Sequence, residues 1–181
     1  MLPSTDLSPR LVTLPGLHGS EPEHWQSWLE TQFPESVRVH QADWNDPELH
    51  RWTHAAVSVF TRLDQPYLIA AHSFGCLTAV QALLSDFPNI VGALLVAPAS
   101  PSKFDIRSLN RRRLPVPSVV VASDTDPWMS ALEARELAQD WGSAYINLGD
   151  AGHINVASGY GPFSLAKELT STLFASRVPV E

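Results

Sequence analysis

Short apolar runs alternate along this chain with longer stretches whose apolar residues recur every three or four positions. Leu11-Val12-Thr13-Leu14, closed by Pro15-Gly16, reads as a buried strand entering a turn. Trp25, Trp28, Leu29 and Phe33 then share one face of a helix. Val37-Arg38-Val39 is a second strand that ends near Ala42-Asp43-Trp44. Pro47 suits the first turn of a helix carrying Leu49, Trp52, Ala56, Val59, Phe60 and Leu63. The run from Tyr67 to Ala71 is a third strand and stops at Ser73; Leu77, Val80, Leu83 and Leu84 follow at helical spacing. Ile90 to Val96 is apolar throughout, as expected of a strand covered on both faces. Pro98 to Pro117 is irregular and rich in Pro, Ser and Arg. Ser118 to Ala122 and Ala144 to Leu148 are the last two strands. Helices are predicted over Met129 to Trp141 and Phe163 to Phe174.

Strands and helices thus alternate from end to end, with no composition break, repeat or linker. That order predicts an α/β fold: a three-layer sandwich with a mainly parallel six-stranded sheet and helices on both faces, forming one domain over residues 1–181. Ligands of such sheets bind beyond the C-terminal strand ends, where strand order reverses. Polar residues gather at three of those ends: Ser73 after the third strand, Asp124 and Asp126 after the fifth, and His153 after the sixth.

Composition narrows the possibilities. The chain has 181 residues, 44% of them hydrophobic, enough for a large core without metals or disulfides. A formal net charge of -7 argues against general nucleic-acid binding. The basic cluster Arg111-Arg112-Arg113 reads as a solvated loop. The single cysteine, Cys76, allows no intramolecular disulfide and reads as core packing. The start, Met1-Leu2-Pro3-Ser4-Thr5-Asp6, does not resemble a signal peptide, and the apolar run from Ile90 to Ala99 is too short to span a bilayer. A cytoplasmic monomer with no membrane or nucleic-acid partner is expected.

The chemistry concentrates around Ala71-His72-Ser73-Phe74-Gly75. A serine at a sharp strand-to-helix turn is a nucleophile elbow, usually written G-x-S-x-G; here Ala71 and Gly75 fill the small positions. Acyl transfer by serine needs a base for the hydroxyl proton, a carboxylate to orient the base, and N–H donors for the oxyanion. His153 follows Gly152, which lets its loop approach the serine. Asp126 precedes Pro127. The order Ser73, Asp126, His153 is that of the α/β hydrolases. The backbone N–H groups of Leu17 and Phe74 are the candidate oxyanion donors. Spacing alone does not choose between Asp124 and Asp126, since alternate residues of an extended segment share a face. Turn chemistry favours Asp126, because Pro127 restricts the backbone before it, and leaves Asp124 to cap the turn at the N–H of Thr125 or Asp126.

These stretches resemble the small serine-hydrolase family that includes YdeN and retinoblastoma-binding protein nine, a compact branch of the α/β hydrolases. The resemblance covers nearly the whole chain. It is carried by Leu14-Pro15-Gly16-Leu17-His18-Gly19-Ser20 with His24-Trp25, by Asp43-Trp44 with Pro47 and Trp52, and by Ala71 to Gly75. Further on it is carried by Ser123-Asp124, Asp126-Pro127, Gly152-His153-Ile154-Asn155 and Ser158-Gly159 with Gly161. It implies Ser73 as nucleophile, Asp126 as orienting carboxylate and His153 as base. Many members carry Trp-Pro-Glu-Gly where this chain has Pro162-Phe163-Ser164-Leu165.

The expected activity is a carboxylesterase acting on small acyl esters through an acyl-enzyme at Ser73. Amide or thioester hydrolysis would use the same chemistry, and a non-catalytic interaction module could use the same scaffold. Little chain remains for a lid between Pro98 and Pro117, so a shallow site is expected, bounded by Leu17, Trp44, Phe74, Phe104 and Trp128. Trp44, Phe104 and Trp128 are the candidate substrate contacts. His72 is expected to point to the opposite side of the turn and to pack or bond the backbone, and His18 and His24 to make structural hydrogen bonds. His50 and His54 have a metal-compatible spacing, but a solvated face is the simpler reading. No phosphate loop, dinucleotide fingerprint or cysteine cluster is found, so no cofactor and no metal is expected. Only a neutral imidazole accepts a proton. Activity should therefore rise with pH through a single limb that disappears in His153→Ala, and a flat profile of kcat/KM would count against His153 as the base.

Overall fold

The structure is a computed structural model and describes residues 10–176. Six strands, β1 (Arg10–Leu14), β2 (Val37–Arg38), β3 (Tyr67–His72), β4 (Ile90–Val96), β5 (Ser118–Ala122) and β6 (Ala144–Asn147), pair in parallel in the order β2-β1-β3-β4-β5-β6. The helices are α1 (Trp25–Gln32), α2 (Leu49–Phe60), α3 (Phe74–Leu83), α4 (Ala131–Trp141) and α5 (Ser164–Ala175).

Period-two alternation divides the core into two layers. Val12, Leu14, Ile69, Ala71, Ala93, Leu95, Val120 and Ala122 face α2, α3 and α4. Leu11, Leu68, Ala70, Leu94, Val96, Val119 and Val121 face the layer that contains α1 and α5. The direction of the crossovers accounts for this division. From β1 the chain steps outward to β2, and every later step runs the other way. Right-handed connections then place α1 opposite α2, α3 and α4. The reversal lies between β1 and β3, and their C-terminal ends frame the crevice where Ser73 sits.

Helix ends depart from their expected positions because side chains cap them. Ser130 accepts the Glu133 N–H, so α4 starts at Ala131 and not at Met129. Glu48 accepts the N–H groups of His50 and Arg51, so Pro47 lies before the cap and α2 starts at Leu49. No α-helix joins β4 to β5; that segment holds two single 3₁₀ turns, Pro101–Phe104 and Arg107–Leu109. No helix among the described residues is long and apolar enough to cross a membrane.

Two backbones meet at the crevice. A Cβ on Gly75 would lie 2.1 Å from the Leu14 oxygen and 2.6 Å from that of Pro15. Gln26, fully buried on α1, fastens the same place from the other face. Its Nε2 donates to the carbonyls of Leu14 (3.2 Å) and Ala70 (2.9 Å), and its Oε1 accepts from Ser20 Oγ at 2.6 Å. Gly75→Ala should therefore cost about 3 kcal/mol through overpacking. Gly149→Ala, which meets nothing within 4 Å, should cost only the left-handed backbone penalty of about 1 kcal/mol. Thermal melts of the two variants check this, and equal losses would contradict it.

Candidate active site

Ser73 occupies the turn between β3 and α3 with φ 54° and ψ −124°, a conformation an L-residue keeps only when its surroundings enforce it. Three backbone bonds enforce it here. The Ser73 N–H donates to Val96 O at 3.1 Å, while its own carbonyl accepts from Cys76 N at 3.0 Å and Ala99 N at 3.1 Å. The serine is thereby tied to the end of β4 as well as to its own helix.

His153 lies in the loop after β6, between Gly152 (φ 54°) and the fully buried Ile154 (φ 48°). A β-branched residue at positive φ is strained. Side chains from the β5 loop hold the segment: Gly152 N donates to Thr125 Oγ1 at 2.9 Å, and Ala151 N to Ser123 Oγ at 3.0 Å. On its far side Asn155 and Ser158 form a capping box.

These elements bring Ser73, His153 and Asp126 into one line. His153 Nε2 stands 3.0 Å from Ser73 Oγ, and His153 Nδ1 stands 2.8 Å and 3.0 Å from the two oxygens of Asp126. The Asp126 side chain is 2% exposed, so the pairing is shielded from water. Its Oδ1 also accepts the Trp128 N–H at 2.9 Å. Asp124 faces solvent and accepts from Asn147 Nδ2 at 2.7 Å. The turn-capping role expected of Asp124 belongs to Ser123, whose Oγ accepts the Thr125 N–H at 3.2 Å. The neighbouring serine lies on the inner side of the turn, whereas Asp124 points outward to β6.

Gly16 lets the loop after β1 rest directly on the elbow; a Cβ there would lie 2.8 Å from Ser73 Cβ and 3.4 Å from Phe74 N. The Leu17 N–H has no backbone acceptor among the described residues. Phe74 is the first residue of α3, where an N–H has no intrahelical partner. Leu17 lines the same cleft as the serine hydroxyl, which faces an imidazole, and Phe74 follows that serine directly, so their N–H groups remain the candidate donors. That arrangement can stabilise negative charge on an oxygen bonded to the serine's reaction partner.

The serine opens into a cleft of about 530 Å³, with Leu17, Phe104 and Trp128 among its walls. Two of the expected wall residues lie elsewhere. Trp44 packs against Gly19 and edge-on to Trp52 at 5.7 Å, and its carbonyl accepts the His18 N–H at 2.9 Å. It supports the β1 loop from behind, because the fold turns its ring into the α2 layer. The Phe74 ring is fully buried between Trp52 and Phe104. His72 is not on the far side of the turn; its ring lies at the cleft wall. His50 and His54 are exposed, and no group of three or more metal-binding side chains forms among the described residues.

The sequence pattern of the serine hydrolase family matches residues 11–171. The chain belongs to the serine hydrolase family. It is 36% identical to a protein from Pectobacterium atrosepticum described as a YdeN-like hydrolase, over 94% of each chain, with a TM-score of 0.89. The ydeN gene product of B. subtilis shares the fold at a TM-score of 0.79, with 18% identity over 93% of this chain and 100% of that one. Est1E of Butyrivibrio proteoclasticus, solved with ferulic acid bound, shares it at a TM-score of 0.68, with 14% identity over 93% and 88%. No curated protein sequence matches.

Around the serine, this hydrolase carries groups that sequence reading passed over. Gln26 is one; its place three residues before Leu29 puts it on the buried helix face, a signal that was legible. Lys103, whose Nζ donates to Trp128 O at 2.6 Å at the cleft mouth, left no such signal. Nor did Ser100, which bonds Glu133 on α4.

His24, His72 and His153 form a row, with ring centroids 4.8 Å and 4.9 Å apart. Burial, then the charges of Arg38 and His153, lowers His24 to about 4. Burial, then His24 and His153, holds His72 well below the ordinary histidine range. Both are neutral near pH 7. An unfolded chain protonates histidine near 6.5, so below that value the unfolded state of the hydrolase binds more protons than the folded one. Stability should be full above about pH 6.5 and fall as pH drops toward 4. His24→Gln should flatten that slope in thermal melts across this window, and an unchanged slope would contradict the assignment.

Proposed function

We propose that this hydrolase cleaves carboxylic esters of small acyl groups through an acyl-enzyme at Ser73. One observation carries the reading: the continuous path from Ser73 Oγ through His153 to the shielded Asp126 carboxylate. In the proposed reaction Ser73 Oγ attacks the ester carbonyl as His153 Nε2 takes its proton. Asp126 holds the Nδ1–H tautomer and stabilises the imidazolium that forms. The N–H groups of Leu17 and Phe74 receive the oxyanion. The tetrahedral intermediate collapses, His153 returns the proton to the leaving alcohol, and water, activated by the same imidazole, releases the acid and restores the serine.

Two features support a small acyl group. The Pro98–Pro117 segment contains only 3₁₀ turns and adds no lid. Trp128, on the cleft wall, is 59% exposed, so a long chain would lie partly in water. Each methylene left unburied forgoes about 0.8 kcal/mol. Phe104 and Trp128 serve in this reading as apolar contacts for the ester.

A fluorophosphonate probe should label the wild type and not Ser73→Ala; an unlabelled, folded wild type would instead favour a binding module. p-Nitrophenyl acetate and butyrate should be turned over better than palmitate, and a steady rise of kcat/KM with chain length would overturn the small-acyl reading. Asp126→Asn should lower kcat by about 10⁴-fold, the loss known for the equivalent change in another triad. Asp124→Asn should keep most of kcat and lose at most about 1 kcal/mol of stability. The reverse ranking would reassign the carboxylate.

A further inference from the structure

His72 ends β3 immediately before the serine and is buried, yet its ring makes a long-range polar contact. Its Nε2 lies 2.9 Å from the backbone carbonyl oxygen of His153, a bond between residues 81 apart in sequence. A carbonyl only accepts, so Nε2 carries the proton and donates it. The acceptor belongs to the residue whose own ring faces Ser73.

The place of this bond matters because the loop it holds is strained. Gly152 and Ile154, on either side of His153, both have positive φ, and the described bonds from the β5 loop reach Gly152 and Ala151 and stop short of the His153 carbonyl. The His153 carbonyl and side chain leave the same Cα. Fixing one limits where the other can stand. His72 cannot easily swing away, since His24 packs edge-on to it at 4.8 Å and Trp25 at 6.1 Å.

We propose that His72 is a positioning residue for the hydrolytic reaction: its Nε2–H···O=C bond to His153 sets the distance between the His153 ring and Ser73 Oγ. The inference rests on the reaction proposed above. A merely packing role for His72 would be filled by any side chain of similar bulk. A positioning role requires a donor at the place of Nε2, which the amide nitrogen of Gln supplies and that of the shorter Asn does not.

The test compares His72→Gln, His72→Leu and His72→Asn by kcat and KM on p-nitrophenyl acetate, fluorophosphonate labelling rate and thermal melts. His72→Leu should lower kcat about 10²-fold, the scale of an ångström-sized misplacement, with KM within about twofold and labelling slowed in parallel. His72→Gln should recover at least about tenfold of that loss. If His72→Leu does not fold, the two amides decide: Gln well above Asn supports the inference, and equal activities overturn it. Leu within about threefold of wild-type kcat, or Gln and Leu equally impaired, also overturns it. A wild type that neither reacts with the probe nor turns over ester removes the hydrolase reading, and this inference with it; an active wild type beside an unaffected Leu variant removes this inference alone.

Discussion

The approach of the β1 loop to the elbow is close enough that two positions exclude a side chain. At Gly75 a Cβ would stand 2.1 Å from the Leu14 oxygen, and at Gly16 one would stand 2.8 Å from Ser73 Cβ. These are steric limits and not preferences, and much of the site follows from them. Because the backbones touch, Gly16 and the Phe74 N–H stand against one serine. Because β1 and β3 are adjacent where the strand order reverses, that serine opens into a crevice. The buried amide of Gln26 donates to carbonyls of both strands at the same level, so neither the Leu14 nor the Ala70 oxygen is left unpaired there.

Strain on the other side of the crevice is contained in a similar way. The Ser73 turn and the His153 loop both hold residues in conformations that would relax in a free peptide, and each is bound to a neighbouring strand end. Hydrogen bonds from β4 hold the first; side chains after β5, together with His72, hold the second. The two strained segments meet in one 3.0 Å contact, Ser73 Oγ to His153 Nε2. Neutral, buried His24 and His72 complete the wall without adding charge next to the His153 imidazole.

Much of this was legible in the sequence, and the reasons are physical. The bounds of β4 coincide with its apolar run, and those of β5 with its run and the buried Ser118 before it, because both strands are covered on both faces. The starts of α2 and α4 lie two residues beyond their expected positions because Glu48 and Ser130 take the cap, and periodicity says nothing about which side chain turns back to bind the backbone. Ser73, Asp126 and His153 were legible as candidates because chemistry restricts residue type and order. The cleft walls were less so. Trp44 and Phe74 have the right composition for a wall, but tertiary packing turns one ring behind the β1 loop and the other into the core. The contact of His72 with His153 spans 81 positions, and no local pattern encodes it.

The central claim is that Ser73 becomes covalently acylated during turnover. Rapid acid quench of the enzyme reacting with p-nitrophenyl acetate, followed by intact-mass and peptide mass spectrometry, tests it directly. The account predicts a species heavier by one acetyl group, with the modification on the peptide containing Ser73, formed and consumed at rates consistent with turnover. Turnover without such a species under conditions where deacylation limits the rate, or an acetyl group on a different residue, would contradict it.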